Sequence, residues 1–354
     1  MNDAPLPTAE DEYRAADRRA YFEQRIFVLS PFSAFVTTLI LFTVLFGAFL
    51  IAAEAEHVRL YSESPHGLVI ESGLRMAFTL SLMLCGVLFV QRYTRMKERG
   101  DRDAFAAVLK PGALERRNLV QLTPSDARLP LFTIIGVVIG LTVSWVVFGA
   151  DLLSVAHPPY ATVLWFTVTN TLLITSFTRG VELSRTGSRA SAEAIDHDLI
   201  VDLLRIDTLA VWGRSSARFA LIWFTVSAIS CLFFVNAGLN AFTLSMLATL
   251  LAMGIFVFVR PMERVHRKIR AVKAEELERI RGQIDGLRDA AVSDASAATR
   301  LQGLLAYETR IAAAPEWPFD QTTLVRVGAS ALILTVPWFG QAIAAYVIEH
   351  MNHV

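Results

Sequence analysis

"AFTLSMLATLLAMGIFVFV", residues 241–259, runs directly into "RPMERVHRKIRAVKAEELERIRGQIDGLRDA", residues 260–290. The first stretch is uncharged and close to the roughly 20 apolar residues that cross a hydrocarbon layer, where every backbone amide must be satisfied within its own segment. The second is charged, yet Val265, Ile269, Val272, Leu277, Ile280, Ile284, Leu287 and Ala291 recur at steps of three or four, with one step of five after Val272. That spacing makes one broad apolar helix face. Glu263 with Arg267 and Glu275 with Arg279 stand four apart on the other face, a favourable spacing for ion pairs. One helix is therefore predicted to leave the membrane intact and continue for about 45 Å over 261–290, at 1.5 Å per residue.

The chain must return, because another apolar run starts near Leu324. "VSDAS", residues 292–296, offers Ser293 or Asp294 as a helix cap, and Ala298, Leu301, Leu305 and Ala312 form a stripe for the way back. Residues 260–323 are predicted to be a helical hairpin, its outgoing arm the longer. Part of its apolar face is left for a neighbouring subunit, or for an amphipathic surface helix predicted at 195–204.

The rest of the chain has the same character. Its 354 residues are 54% hydrophobic with mean hydropathy +0.45, and the apolar residues lie in blocks too long for a soluble core. Seven blocks qualify as spans: Phe32–Ala53, Gly73–Gln91, Leu129–Leu153, Ala161–Phe177, Ala217–Ala237, Ala241–Val259 and Leu324–Ile348. The predicted fold is an all-α polytopic membrane protein of seven transmembrane helices, three hairpins plus a final single span. Residues 1–31 form an N-terminal segment and 32–259 a six-span domain with insertions 92–128 and 178–216; the hairpin follows at 260–323, then the last span and tail at 324–354. The charged N-terminal segment is unlike a cleavable signal peptide, so the first span is expected to stay as an anchor. The outer connection between the first two spans is long enough for a short helix.

Of the 33 Lys and Arg, 31 fall in or at the edge of alternate connections. Basic residues are retained on the cytoplasmic side, which predicts a plasma (inner) membrane protein with its N-terminus inside and its C-terminus outside. Cys85 and Cys231 fall within spans and read as small hydrophobes.

Chemistry-bearing motifs are sparse. The sequence lacks HExxH, GxSxG and a phosphate-binding loop, and no charge sits at a span centre, so neither enzyme activity nor a cofactor is expected. His57, His66, His157, His350 and His353 share the outer side with several carboxylates, without a metal-ligand spacing. They read as solvated surface, or as groups that attract cations or sense pH. The mixed charges of the hairpin, without interleaved aromatics, argue against nucleic acid.

One span breaks the apolar monotony. "WFTVTNTLLITSFT" places Thr167, Thr171, Thr175 and Thr178 on one face with Asn170 beside them. Such a stripe either bonds to a neighbouring helix or lines a conduit. Gly136, Gly140 and Ser144, at four-residue steps in the preceding span, read as a close-packing face toward it. Pro337 in the last span removes a helix hydrogen bond and invites a kink or a hinge, with Gln341 one turn beyond as further candidate lining. "APEWPFD", residues 314–320, reads as a turn with Trp317 in the headgroup belt and Asp320 or Thr322 capping the last span.

Two functions are compatible with these residues. The first is a homo-oligomeric channel- or transporter-like protein that passes or senses a small solute or ion. The alternative is a non-conducting membrane scaffold or sensor that recruits a cytoplasmic protein partner through its hairpin. Whether Asn170 and Thr171 face a wet cavity or a packed helix distinguishes them.

Overall fold

A computed structural model describes residues 22–64, 67–117, 119, 128–154, 159–234, 241–318, 325, 327–329, 331 and 332. Among these the chain is helical, apart from one two-stranded hairpin. Helix α1 (Phe22–Leu29) precedes α2 (Ala34–Ala55), which opens where the Ser33 hydroxyl accepts from the Val36 amide. The connection to α3 (Ser72–Gly100) does not form the expected short helix. Strands β1 (Tyr61–Ser64) and β2 (Gly67–Ile70) pair antiparallel there, with Tyr61 opposite Ile70. Tyr61, Val69 and Ile70 suit a strand, and Pro65 and Gly67 favour the reversal between them.

Short helices α4 (Arg102–Ala107) and α5 (Ala113–Arg116) follow, separated at Gly112, whose φ of +72° is the left-handed conformation that glycine adopts freely. Helices α6 (Leu129–Ser154) and α7 (Tyr160–Glu193) come next, then α8 (Ala210–Cys231), α9 (Ala241–Arg288) and α10 (Ala295–Ala312).

Five helices are long and apolar enough to cross a membrane among the described residues: α2, α3, α6, α7 and α9. The chain is thus a candidate multi-span membrane protein. The predicted span Ala217–Ala237 falls on α8, which is not among the five because Arg214 and Arg218 interrupt its apolar run. Of the predicted last span only a few residues near 325–332 are described, in helical conformation, and Pro337 and Gln341 lie outside the described residues. So do Asp320, Thr322, His66, His157, His350 and His353.

Apolar side chains of α2, α3 and α7 meet in one core: Phe49, Ala53, Leu80, Leu84, Phe166 and Leu173 are all buried. The Trp165 indole donates to the Leu45 carbonyl at 2.9 Å, which satisfies its one donor at the edge of that core. A second core joins α8 to α9. Phe224 packs against Gly254, so close that a Cβ there would come within 2.2 Å of the ring, and the Trp223 indole donates to the Leu250 carbonyl at 2.9 Å. Buried Ala220, Phe224, Cys231 and Phe258 hold the two helices together.

The longest element is α9, one helix of 48 residues. It runs from the apolar stretch into the basic one without a break, as its sequence predicts. Pro261 stands inside it, where it removes the bond to the Val257 carbonyl. At Arg288 the chain turns, Asp294 accepts from the Ser296 amide, and α10 packs back along α9. Ile280 and Ile311 are buried between them; Tyr307 donates to Glu276 at 3.0 Å, and Arg281 pairs with Glu308 at 2.8 Å. Arg279 pairs with Glu276, three residues away, rather than with the expected Glu275.

A third core was not anticipated. On the side where the Lys and Arg collect, Phe105, Leu109 and Leu114 from the first insertion meet Ile195, Leu199, Leu209 and Trp212 from the second. Met262, Val265 and Ile269 of α9 close it. The predicted amphipathic helix at 195–204 is absent. Residues Ala194–Asp198 instead form a π-helical turn, and the chain then extends so that Leu199 bridges Leu109 antiparallel. Val108 and Lys110 trade backbone bonds with Ile200 and Asp198 at 2.9 Å. Asp196, Asp198 and Asp202 favour local turns over helix, and Asp202 indeed accepts from the Leu204 amide at 2.9 Å. The apolar stripe at the root of α9 is therefore covered from within the chain.

Candidate functional site

Helix α7 holds the candidate residues, and both of its ends are fixed by charge. At its first turn Pro159 supplies no side-chain cap. Glu56, at the end of α2, reaches across instead: its carboxylate accepts from the Ala161 amide at 2.5 Å, the Thr162 amide at 2.9 Å and the Thr162 hydroxyl at 2.6 Å. Burial alone would raise this carboxyl, and the bonds from Thr162 and Ala161 more than offset it, holding Glu56 below its ordinary value of 4.5. Its stabilising contribution is complete above that value and is lost as the pH falls through the lower folded one. Glu56→Gln, which cannot carry the charge, is expected to flatten the acid limb of a thermal-midpoint profile. An unchanged acid limb would show that the clamp does not matter.

At the basic side, Glu182 is fully buried and paired with Arg185 one turn on, at 2.6 Å from its Nε. Asp101 and Arg218 form an ion pair at 2.6 Å, and Arg117 bridges Asp198 at 2.9 Å and Glu193 at 2.7 Å. The pairs of Asp101 and of Arg117 join segments 76 to 117 residues apart, which no local spacing reveals, whereas Glu182 and Arg185 are an i,i+3 pair.

Between these ends lies the polar face, and α6 covers it. A Cβ built on Gly140 would stand 2.7 Å from the Thr171 Cα, and one on Gly136 equally close to the Thr175 Cα. Small residues at four-residue steps let the two backbones touch. The Asn170 amide donates to the Ser144 hydroxyl at 2.9 Å, and the Thr178 hydroxyl contacts the Phe132 carbonyl at 3.2 Å and the Thr175 carbonyl at 3.0 Å. Thr167 is half-buried on the same face, while the hydroxyls of Thr171 and Thr175 are buried with no partner among the described residues. Asn170, Thr171, Thr175 and Thr178 thus come together with Gly136, Gly140 and Ser144 in a helix contact. The opposite face of α7 is fastened to α3, where the Gln91 amide donates to the Ser176 carbonyl at 3.3 Å.

Among the described residues no three His, Cys, Asp or Glu side chains converge as metal ligands would. The chain matches no known protein family, no curated protein and no solved structure.

Proposed function

We propose that the chain is a non-conducting, non-enzymatic scaffold or sensor of the plasma (inner) membrane, with its basic side cytoplasmic and the α9–α10 hairpin offered to a cytoplasmic protein partner. The observation that carries this reading is the filling of the polar face of α7 by α6: where a conduit would need water, Asn170 bonds to Ser144. Seven spans follow from the same reasoning. Helix α8 packs on the apolar part of α9, so it is taken to cross with it, and the run from Leu324 to Ile348 supplies the last span. An odd number of crossings agrees with the N-terminus inside, the C-terminus outside and the one-sided distribution of Lys and Arg. The conduit is the second reading, favoured by the two unpartnered threonine hydroxyls.

Reconstitution separates the two. The unmutated protein is expected to give no ion or solute flux above empty liposomes. Asn170→Leu and Ser144→Ala should each lower stability by about 0.6 to 2 kcal/mol, and the double variant by less than the sum, because both remove one bond. Flux that Asn170→Leu narrows at normal stability would restore the conduit. Orientation is read with single cysteines replacing Ser62, Ser188 or Asn352 in a background lacking Cys85 and Cys231. An impermeant thiol reagent on intact cells is expected to label the first and third only, and labelling at 188 would invert the map.

A further inference from the structure

On the face of α9 turned away from the third core, Met253, Phe256, Arg260, Arg264 and Arg267 follow one another at steps of three or four. The stripe is open along its length. Met253 is 42% and Phe256 50% exposed, Arg260 is exposed, and the side chains of Arg264 and Arg267 are 34% and 64% exposed. It changes from apolar to cationic at Arg260, whose guanidinium lies 5.1 Å from the Phe256 ring centre.

Beyond that point Arg264, Arg267 and Lys268, with Asp196 and Ala271, line a pocket of about 340 Å³. Asp196 holds Arg264 at 3.0 Å, and its backbone carbonyl accepts from the Lys268 ammonium at 3.1 Å. Glu263 stands 3.9 Å from Arg267. Both carboxylates leave most donors of the two guanidiniums and the ammonium unspent, since a guanidinium carries five N–H groups and an ammonium three. The pocket therefore keeps a positive excess, which suits an oxyanion.

Its depth is that of lipid headgroups. Arg264 lies about 7 to 8 Å along the helix from Val259, where the apolar run ends, and the headgroup layer is roughly 5 to 8 Å thick on each side. Trp317, stacked on His266 with ring centres 4.3 Å apart and 40% exposed, marks the same level, as interfacial tryptophans do.

We propose that this stripe binds one anionic phospholipid of the cytoplasmic leaflet, with its acyl chains along Met253 and Phe256 and its phosphate among Arg264, Arg267 and Lys268. The site rests on the membrane reading above. A free phosphate would satisfy the cations alone, whereas the apolar stripe leading straight into the pocket fits only a ligand with a tail.

The test uses the full chain in neutral detergent, titrated with phosphatidylglycerol, phosphatidylcholine or inorganic phosphate, with the thermal midpoint and the lipid retained in native mass spectra as readouts. Phosphatidylglycerol alone is expected to raise the midpoint and to stay bound. Arg267→Gln should raise its half-saturating concentration roughly fivefold, the factor for one cation at an anionic surface, and Arg264→Gln with Lys268→Gln roughly 25-fold. Arg300→Gln, on the exposed surface of α10, should leave it unchanged. Should the double variant fail to fold, the largely exposed Arg267 decides alone. Equal response to inorganic phosphate, equal response to phosphatidylcholine, or an unmoved titration in Arg267→Gln would each overturn the proposal. Release of the chain from membranes by alkaline carbonate without detergent would instead overturn the membrane reading itself.

Discussion

Gly140→Leu is expected to detach α6 from α7 and to remove most folded protein from detergent extracts. The space a side chain would need at this position is occupied by the Thr171 Cα, 2.7 Å from where the Cβ would stand, and a helix backbone cannot rotate out of the way as a side chain can. The helices must separate. Separation breaks the Asn170 to Ser144 and Thr178 to Phe132 contacts, and among the described residues α6 has little else to hold it in place: Ile134, Val138, Trp145 and Val146 on its outer face are exposed. Overpacking of this kind costs about 1 to 3 kcal/mol, and the lost membrane hydrogen bonds add roughly 0.6 each. Thermal unfolding in detergent measures the sum. Gly47→Ala is the control, since nothing lies within 4 Å of a Cβ there. A Gly140→Leu protein that melts like the unmutated one would show that α6 and α7 do not touch as described.

The second large effect is expected on the third core, the body formed by the two insertions and the root of α9. Ile269 is fully buried at its centre, with Met262 and Val265 of α9 on one side and Ile195, Leu199 and Trp212 close by in the same core. Ile269→Asp places an unpaired carboxylate there, a change of the class that costs more than about 4 kcal/mol. The body is expected to open while the membrane helices stay packed, because the cores between α2, α3 and α7 and between α8 and α9 share no residue with it. Limited trypsinolysis should then cut at Arg116, Arg117 and Arg205 in the variant and spare them in the parent. Arg270→Gln, one residue on and exposed, should behave as the parent does. Equal protection of Ile269→Asp and parent would mean that the insertions fold independently of α9.

The long helix and its return arm were legible because each is written locally. Steps of three and four marked the face of α9, and Asp294 stood ready as a cap for α10. The contact between α6 and α7 was legible too, since Gly136, Gly140 and Ser144 share the spacing of the threonines they meet and only a short turn separates the two runs. The body was not. Its core depends on Leu109 finding Leu199 and on Arg117 finding Asp198, pairings across some 80 to 90 residues that periodicity cannot report. Residues 195–204 carried a plausible helical stripe, and the carboxylates among them, together with the backbone of 108–110, drew them into a turn and a bridge. A polar face on one helix says that something polar lies opposite. Water and a facing helix satisfy that demand equally, so the stripe on α7 alone did not choose between them.

The unbroken course of α9 has a mechanical consequence. A continuous helix is a stiff rod, and the 28 residues from Pro261 to Arg288 extend it about 40 Å past the apolar run. Over that length a change in tilt of about 5° displaces Arg288 sideways by roughly 3.5 Å relative to Pro261, close to the width of one atom pair in contact. Helix tilt answers to the thickness of the surrounding lipid. On the membrane reading proposed above, a lever of this length would convert a small change of tilt into a much larger displacement at Arg288.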